Sequence, residues 1–269
     1  MLDSYQRIDS WDGSPVGGAS RSGDKLLVAF ANYARDRYAY GAMNCLESLS
    51  GIAFPLSQED PSRPLMSGRQ DIHAGNDCTL ELEPSLARIY VESLCCDFSG
   101  KAYEGETLKD VSIYLTNVCS EYRPLSGECV SWMNTGMFSE TDAQRLSHPE
   151  MLRSNLRGEA GSSVLFPDIC LYTYPNQLPE ESLNGRFTRL VIEGTLMGRK
   201  YYYPININRE GFGYASGVEG IAAAKNYVMN ITLTRIGTDD PDKPVSSETV
   251  SVKAAVLPWD EFPEYVVHF

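Results

Sequence analysis

The sequence lacks a segment with the properties of a transmembrane helix or a secretory signal. No run of about 18 apolar residues occurs, which is the length needed to cross a bilayer. The first residues, Met1–Arg7, contain no positively charged region followed by an apolar run. Taken literally, such a start predicts a cytoplasmic protein.

Basic residues are also scarce. Lys and Arg number 23 against 36 Asp and Glu, which gives a net charge of −13. No basic stripe interrupts this acidic composition, so the surface would repel nucleic-acid phosphates and gain no attraction to anionic lipid. We therefore expect neither nucleic acid nor a membrane surface as a partner.

Motifs for catalysis and metal binding are missing. HExxH and G-x-S-x-G do not occur, and none of the three histidines has ligands at metal-binding spacing. The glycine-rich Gly211–Gly217 has the wrong spacing for a dinucleotide-binding loop. Asp239 and Asp240 lie in a proline-flanked turn, where solvated residues are more common than calcium ligands or catalytic pairs. The sequence predicts no catalytic residue, metal or cofactor.

The seven cysteines contain no C-x₂-C pair, and Cys95 and Cys96 are adjacent, which suits neither zinc nor a relaxed disulfide. Two interpretations stay open. The thiols are buried and inert, or some form a disulfide such as Cys119–Cys129.

What the sequence does contain is a series of short segments that alternate between apolar and polar residues. Val111, Ile113 and Leu115 fall on one face of an extended chain, and Tyr114 and Thr116 fall on the other. This alternation predicts antiparallel strands with one face in the core and one in water. Strands are predicted at Lys25–Ala31, Cys78–Glu83, Ala87–Glu92, Val111–Val118, Ile169–Tyr174, Thr188–Leu196, Lys200–Ile207 and Tyr227–Thr234.

Only two segments have helical character. Tyr38–Leu49 is predicted as a short helix that stops near Gly51. Ser139–Arg157 begins with a capping pattern but is interrupted by Pro149. Helices are therefore expected only as insertions into an all-β fold.

The carboxyl-terminal end differs from the rest of the chain. Val250–Val256 alternates regularly, and a second apolar piece, Tyr265–Phe269, follows Pro258. An apolar terminal strand must lie in a groove. In most proteins that groove belongs to the same domain, but it can belong to a neighbouring molecule.

A series of segments resembles the fimbrillins, the type V pilins of Bacteroidales. No single motif is specific, but their order from about Lys25 to Trp259 is that of the family. The matching segments are Leu26–Asn32, Leu46–Leu49, Pro64–Gly68, Leu86–Ile89, Phe187–Gly194, Lys200–Ile205, Lys225–Tyr227, Gly237–Val245 and Val256–Trp259.

The resemblance implies two transthyretin-like β-sandwich domains with short helical insertions. The amino-terminal domain would span residues 1–77, without its first strands, and the carboxyl-terminal domain residues 78–269. It also implies export as a lipoprotein to a fimbrium at the outer membrane, removal of an amino-terminal strand by a protease that cuts after arginine, and assembly by strand donation. Arg7 and Arg21 are the only arginines early enough to be cut. Since no lipobox cysteine precedes Lys25, we expect a late start or a missing precursor segment.

In this interpretation residues 248–269 form the donor strand, and the partners are other pilin subunits and surface ligands of the host or of bacteria. Head-to-tail donation does not close on itself and so builds a filament. The inserting residues would be Val250, Val252, Ala254, Val256, Val266 and Phe269.

Three alternatives remain at this stage. A tip adhesin would carry a binding concavity in the insertion Cys119–Phe166, which contains Trp132 and Met133. A monomeric glycan-binding surface lipoprotein would expose aromatic residues on one sheet face. An enzyme would need carboxylates or histidines that converge in a cleft.

Overall fold

The computed structural model describes residues 3–8, 12–33, 45–183, 185–214, 217 and 219–261. Within these ranges strands dominate and helices are short. The strands are β1 (Asp24–Ala31), β2 (Phe54–Pro55), β3 (Met66–His73), β4 (Glu83–Pro84), β5 (Ala87–Cys96), β6 (Lys109–Thr116), β7 (Val118–Arg123), β8 (Glu128–Met133), β9 (Arg153–Asn155), β10 (Ile169–Thr173), β11 (Arg189–Leu196), β12 (Arg199–Asn206), β13 (Lys225–Leu233) and β14 (Val250–Pro258). The helices are α1 (Leu46–Ser50) and α2 (Glu140–Ala143), with 3-10 turns at Leu56–Gln58 and Pro149–Met151.

Two four-stranded sheets form the body of the structure. Their strand orders are β10-β5-β13-β14 and β12-β11-β6-β9, and every pair is antiparallel except β5 with β13. Buried side chains of both sheets, such as Ile89 and Met229 from one and Ile113 and Ile192 from the other, belong to one apolar core. This is a β-sandwich, as the alternating segments predicted.

Two smaller sheets flank the sandwich. The first has the order β1-β3-β4 and comes from the amino-terminal part of the chain, and the second has the order β2-β7-β8. In the second sheet, Phe54 pairs with Tyr122 and Pro55 with Glu121. The amino-terminal part of the chain therefore contributes β2 to a sheet whose other strands, β7 and β8, come from the carboxyl-terminal part. The division into domains at residues 77 and 78 stays a prediction.

β6 was expected to have one wet face, and that expectation was wrong. Tyr114 and Thr116 are as buried as Ile113, at 2%, 0% and 0% exposure. The reason is a second covering layer. The ring of Phe138 lies 5.2 Å from that of Tyr114, between ring centres, and Arg153 Nε donates to the Ser112 hydroxyl at 2.8 Å.

Two other elements are shorter than predicted. Only β4 forms where Cys78–Glu83 was predicted, since the preceding residues are largely exposed and have no sheet partner among the described residues. Of Ser139–Arg157 only α2 is α-helical. Ser139 caps it by accepting from the Asp142 N–H at 3.1 Å, and Pro149 begins a separate turn.

Of the helix predicted at Tyr38–Leu49, residues 38–44 lie outside the described part, and α1 covers the end. Among the described residues, no helix has the length and hydrophobicity to cross a membrane.

Candidate assembly strand and the contacts that hold it

β14, which contains most of the predicted donor residues, lies at one edge of the sandwich. It pairs antiparallel with β13 along its whole length, from Val250 opposite Leu233 to Pro258 opposite Lys225. The sequence-based hypothesis put this strand in the groove of a neighbouring subunit, whereas the single chain places it in its own sheet. The physical reason is that β13 offers an edge within the same molecule, so pairing there avoids the entropy cost of association.

Four of the predicted donor residues share the inward face of β14. Val250 is fully buried, and Val252, Ala254 and Val256 are half-buried, with both of these valines packed against the core. The side chains between them, among them Lys253, are exposed. The strand therefore has one apolar and one wet face, which suits any groove that an amphipathic strand can complete.

The other two predicted donor residues, Val266 and Phe269, lie outside the described residues. Their role stays a prediction.

Asn226 and Arg88 hold the end of β14. Asn226 Nδ2 donates to the backbone oxygens of Pro258, Trp259 and Glu261, at 2.7, 3.1 and 3.0 Å. Arg88 Nη1 donates to Asn226 Oδ1 at 3.0 Å, and the Arg88 guanidinium lies 4.2 Å from the ring centre of Trp259. Sequence reasoning gave Asn226 no role, although it falls in one of the fimbrillin-like segments.

The predicted processing sites, Arg7 and Arg21, are both exposed and lie outside helices and strands. Asp3 ties this segment to β1. Its carboxylate accepts from the Arg21 N–H at 3.3 Å and lies 2.8 Å from Lys25 Nζ, and the hydrogen bond from Lys25 lowers the pKa of Asp3. A cut after Arg21 would release the part of the segment that contacts β1. Cleavage itself stays a prediction.

A buried carboxyl group joins the amino-terminal part of the chain to the end of β10. Glu59 is 4% exposed; its Oε1 accepts from the Tyr174 hydroxyl at 2.5 Å and its Oε2 from the Leu65 N–H at 3.0 Å. Burial raises the pKa of Glu59, and the hydrogen bond from Tyr174 opposes this increase. The Tyr174 ring stacks on the ring of Tyr122 in β7, with 5.4 Å between the ring centres. Tyr174 therefore links the amino-terminal Glu59 to β7.

Arg189, at the start of β11, anchors the acidic turn of residues 239–244. It is 2% exposed and donates to Glu181 at 2.6 and 2.8 Å, to Asp242 at 2.7 Å and to Asn206 at 3.0 Å. Arg186 also pairs with Asp242. Asp242 therefore neutralises a buried guanidinium. Across the described ranges, no group of three or more His, Cys, Asp or Glu is placed to bind a metal ion.

Each of the two interpretations fits some of the cysteines, and neither fits Cys78, which is exposed, or Cys45, which is partly exposed. Cys119 and Cys129 form a disulfide between β7 and β8, with their Cα atoms 5.7 Å apart. Burial raises the pKa of the Cys96 thiol to about 12 and also raises that of Cys170, which favours the protonated form of both thiols.

A cavity of about 470 Å³ is lined by residues 154–157, 165 and 166 of the insertion predicted for a tip adhesin and by residues 167–169, which follow it. Phe166 is 65% exposed at its rim. Trp132 and Met133 do not line this cavity. Trp132 is half-buried against the core and Met133 is 8% exposed, so both are packing residues.

The fold is similar to those of several solved bacterial proteins. A fimbrilin (FimA) from Porphyromonas gingivalis W83 superposes with a TM-score of 0.62 at 17% identity, over 89% of this chain and 82% of the fimbrilin. A candidate cell adhesion protein from Bacteroides eggerthii DSM 20697 superposes with a TM-score of 0.62 at 18% identity, over 87% and 77%. Another from Parabacteroides distasonis ATCC 8503 gives 0.61 at 14% identity, over 88% and 76%.

No protein-family model and no curated protein matches the chain. At these identities the three solved structures establish the β-sandwich fold. Their names describe fimbrial or adhesion proteins, and none of the three is named as an enzyme.

Proposed function

We propose that this chain is a non-enzymatic structural subunit of a bacterial surface fimbria, which polymerises head to tail by donating β14 and the residues that follow it. The observation that carries the proposal is β14 itself, an apolar-faced strand at the edge of a fimbrilin-like sandwich. Its location would be the cell surface at the outer membrane, and its partners other pilin subunits. The adhesion names of two structural neighbours support a further role in attachment to host or bacterial surfaces.

Donation requires β14 to leave β13 and to pair with an edge of the next subunit. The strand would carry the same ladder and the same valines into the new groove, so little contact energy is lost by the exchange. β1 is a candidate acceptor, because it ends its sheet and no described strand pairs with its other side. A cut after Arg21 would remove the segment that Asp3 ties to Lys25, and would thereby free that edge.

A disulfide between β13 and β14 tests the donation step. Val228 and Ala255 are directly opposite in the register, with Val228 5% exposed and Ala255 exposed, so Val228→Cys with Ala255→Cys would hold β14 in its own sheet. We refer to this variant as the locked protein. After treatment with an arginine-specific protease, the unsubstituted protein is expected to form filaments, and the locked protein at least about tenfold fewer. Light scattering and electron microscopy measure both.

Reduction of the locked protein is expected to restore filaments. The controls are the Ala255→Cys single variant and the unsubstituted protein with and without reductant, because reduction also opens Cys119–Cys129. If the oxidised, locked protein polymerises as well as the unsubstituted one, β14 is not the donor strand.

A further inference from the structure

β14 is the last strand of its sheet, but the edge that faces away from β13 is partly covered. In an antiparallel ladder, hydrogen-bonded and non-hydrogen-bonded pairs alternate. Just before β14, Thr234 N–H donates to Thr249 O at 2.9 Å, which sets the phase of the alternation. The pairs that contain Val252 and Ala254 then belong to the non-bonded set. Their N–H and C=O groups face away from β13, where another strand could bind them.

A loop lies against this outward edge. Gly213 approaches so closely that a Cβ on it would lie 2.8 Å from Ala254 Cβ, 2.9 Å from Ala254 N and 3.2 Å from Val252 O. Its φ of +73° is also in the left-handed region. Both facts require glycine at this position. The adjacent Phe212 is 6% exposed and belongs to the core, so the loop is anchored beside β14.

The base of the loop is closed by buried polar contacts. Asn208 Nδ2 donates to Gly220 O at 2.8 Å, and Gly220 N–H donates to Asn208 O at 3.0 Å. Arg209, 5% exposed, pairs with Glu219 at 2.9 Å, and its guanidinium lies 3.8 Å from the ring centre of Phe187. These contacts hold residues 209–214 in place, so the close approach of Gly213 is a fixed feature of the fold.

We infer that residues 209–214, which we call the edge cap, block β-strand addition to the free edge of β14 by an extended strand of a second copy of this chain. An uncovered edge of apolar-faced strand would template lateral pairing between subunits. The edge cap prevents that side reaction at the centre of the strand, where the outward backbone groups of Val252 and Ala254 are met by Gly213. The inference holds whether or not β14 is donated.

The test uses the locked protein without protease treatment, so β14 cannot be donated and the segment that Asp3 ties to Lys25 stays beside β1, the other candidate acceptor. The probe is a fluorescent peptide with the sequence of Val250–Pro258, and its binding is measured by anisotropy. Gly213→Val, whose side chain collides with backbone atoms of β14, is expected to bind the peptide at least tenfold more tightly than the locked parent. Gly213→Ala is expected to show a smaller increase in affinity for the peptide. If Gly213→Val does not fold, the affinity of Gly213→Ala tests the inference.

Gly198→Val and Gly198→Ala are the matched controls. Gly198 has nearly the same φ, +75°, but no atom lies within 4 Å of an added Cβ, so these variants carry the backbone strain without a collision. They are expected to bind the peptide no better than the locked parent. The inference is overturned if the folded Gly213 variants bind no better than the Gly198 variants, or if the locked parent itself binds the peptide as tightly as they do.

Discussion

Glu59 is a carboxyl group that the fold encloses, and its surroundings make stability depend on pH. The groups around it are the Tyr174 hydroxyl, the Leu65 N–H and the neighbouring Asp60, whose negative charge raises the pKa of Glu59 further. Because the folded-state pKa is raised, the contribution of this group to stability is fully present below its unfolded-state pKa. It is lost as pH rises through the folded-state pKa.

Glu59→Gln removes this titration while keeping the size of the side chain. Relative to the unsubstituted protein, the variant is expected to gain stability as pH increases from about 4 to about 7. Urea unfolding at several pH values measures the difference. Glu59→Ala is expected to lose about 2–4 kcal/mol, because it leaves the Tyr174 and Leu65 donors unpaired.

The exposed Glu83→Gln is the control, and its difference from the unsubstituted protein should not vary in the same way. A stability difference for Glu59→Gln that is constant with pH would contradict the assignment.

At the scale of a single element, β14 is fixed more firmly at its end than its edge position indicates. The Asn226 side-chain amide donates to the carbonyl oxygen of Pro258, the last residue of the ladder, and to those of Trp259 and Glu261 beyond it. Such a contact limits how easily the end of the strand frays, and any donation of β14 must break it.

Asn226→Ala is therefore expected to loosen the end of β14 while the fold is kept. Amide hydrogen exchange at Ala255 and Leu257, both in hydrogen-bonded pairs, should accelerate by about tenfold or more. Ser251, near the start of β14, is the internal control and should change little, because Val250 beside it is fully buried. Equal acceleration along the whole strand would show that Asn226 supports the sheet as a whole.

At the scale of the whole molecule, charge opposes association. The chain carries a net charge of −13, so two copies that met end to end, as in the proposed filament, would repel one another. Screening shortens the range of this repulsion to about 8 Å at physiological ionic strength. The edge cap and this repulsion would act together to keep subunits apart until a donor strand is available.

Salt is accordingly expected to accelerate polymerisation. Raising NaCl from about 20 mM to about 150 mM should increase the initial rate several-fold, measured by light scattering after protease treatment. Sucrose at equal osmolality is the control, since it does not screen charge. A rate that falls as salt is added would mean that attraction between complementary charged surfaces dominates the encounter.

Many of the strands could be predicted from the local alternation of apolar and polar residues. Lys25–Ala31, Thr188–Leu196 and Lys200–Ile207 coincide within a residue or two with β1, β11 and β12, because alternation and β-branched or aromatic content are local properties. Cys78–Glu83 failed although it alternates, since no neighbouring strand pairs with most of it. The prediction that Tyr114 faces solvent was wrong because Phe138, which is distant in sequence, covers it.

The sequence by itself determined that the chain forms amphipathic strands, that β14 carries its valines on one face and that the protein has an acidic surface. Only the tertiary structure decided that β14 pairs with β13, that Asn226 holds its end and that Gly213 covers its free edge. The physical reason is that side-chain periodicity fixes which face of a strand is apolar. The choice of partner edge depends on chain entropy and on contacts between residues far apart in sequence.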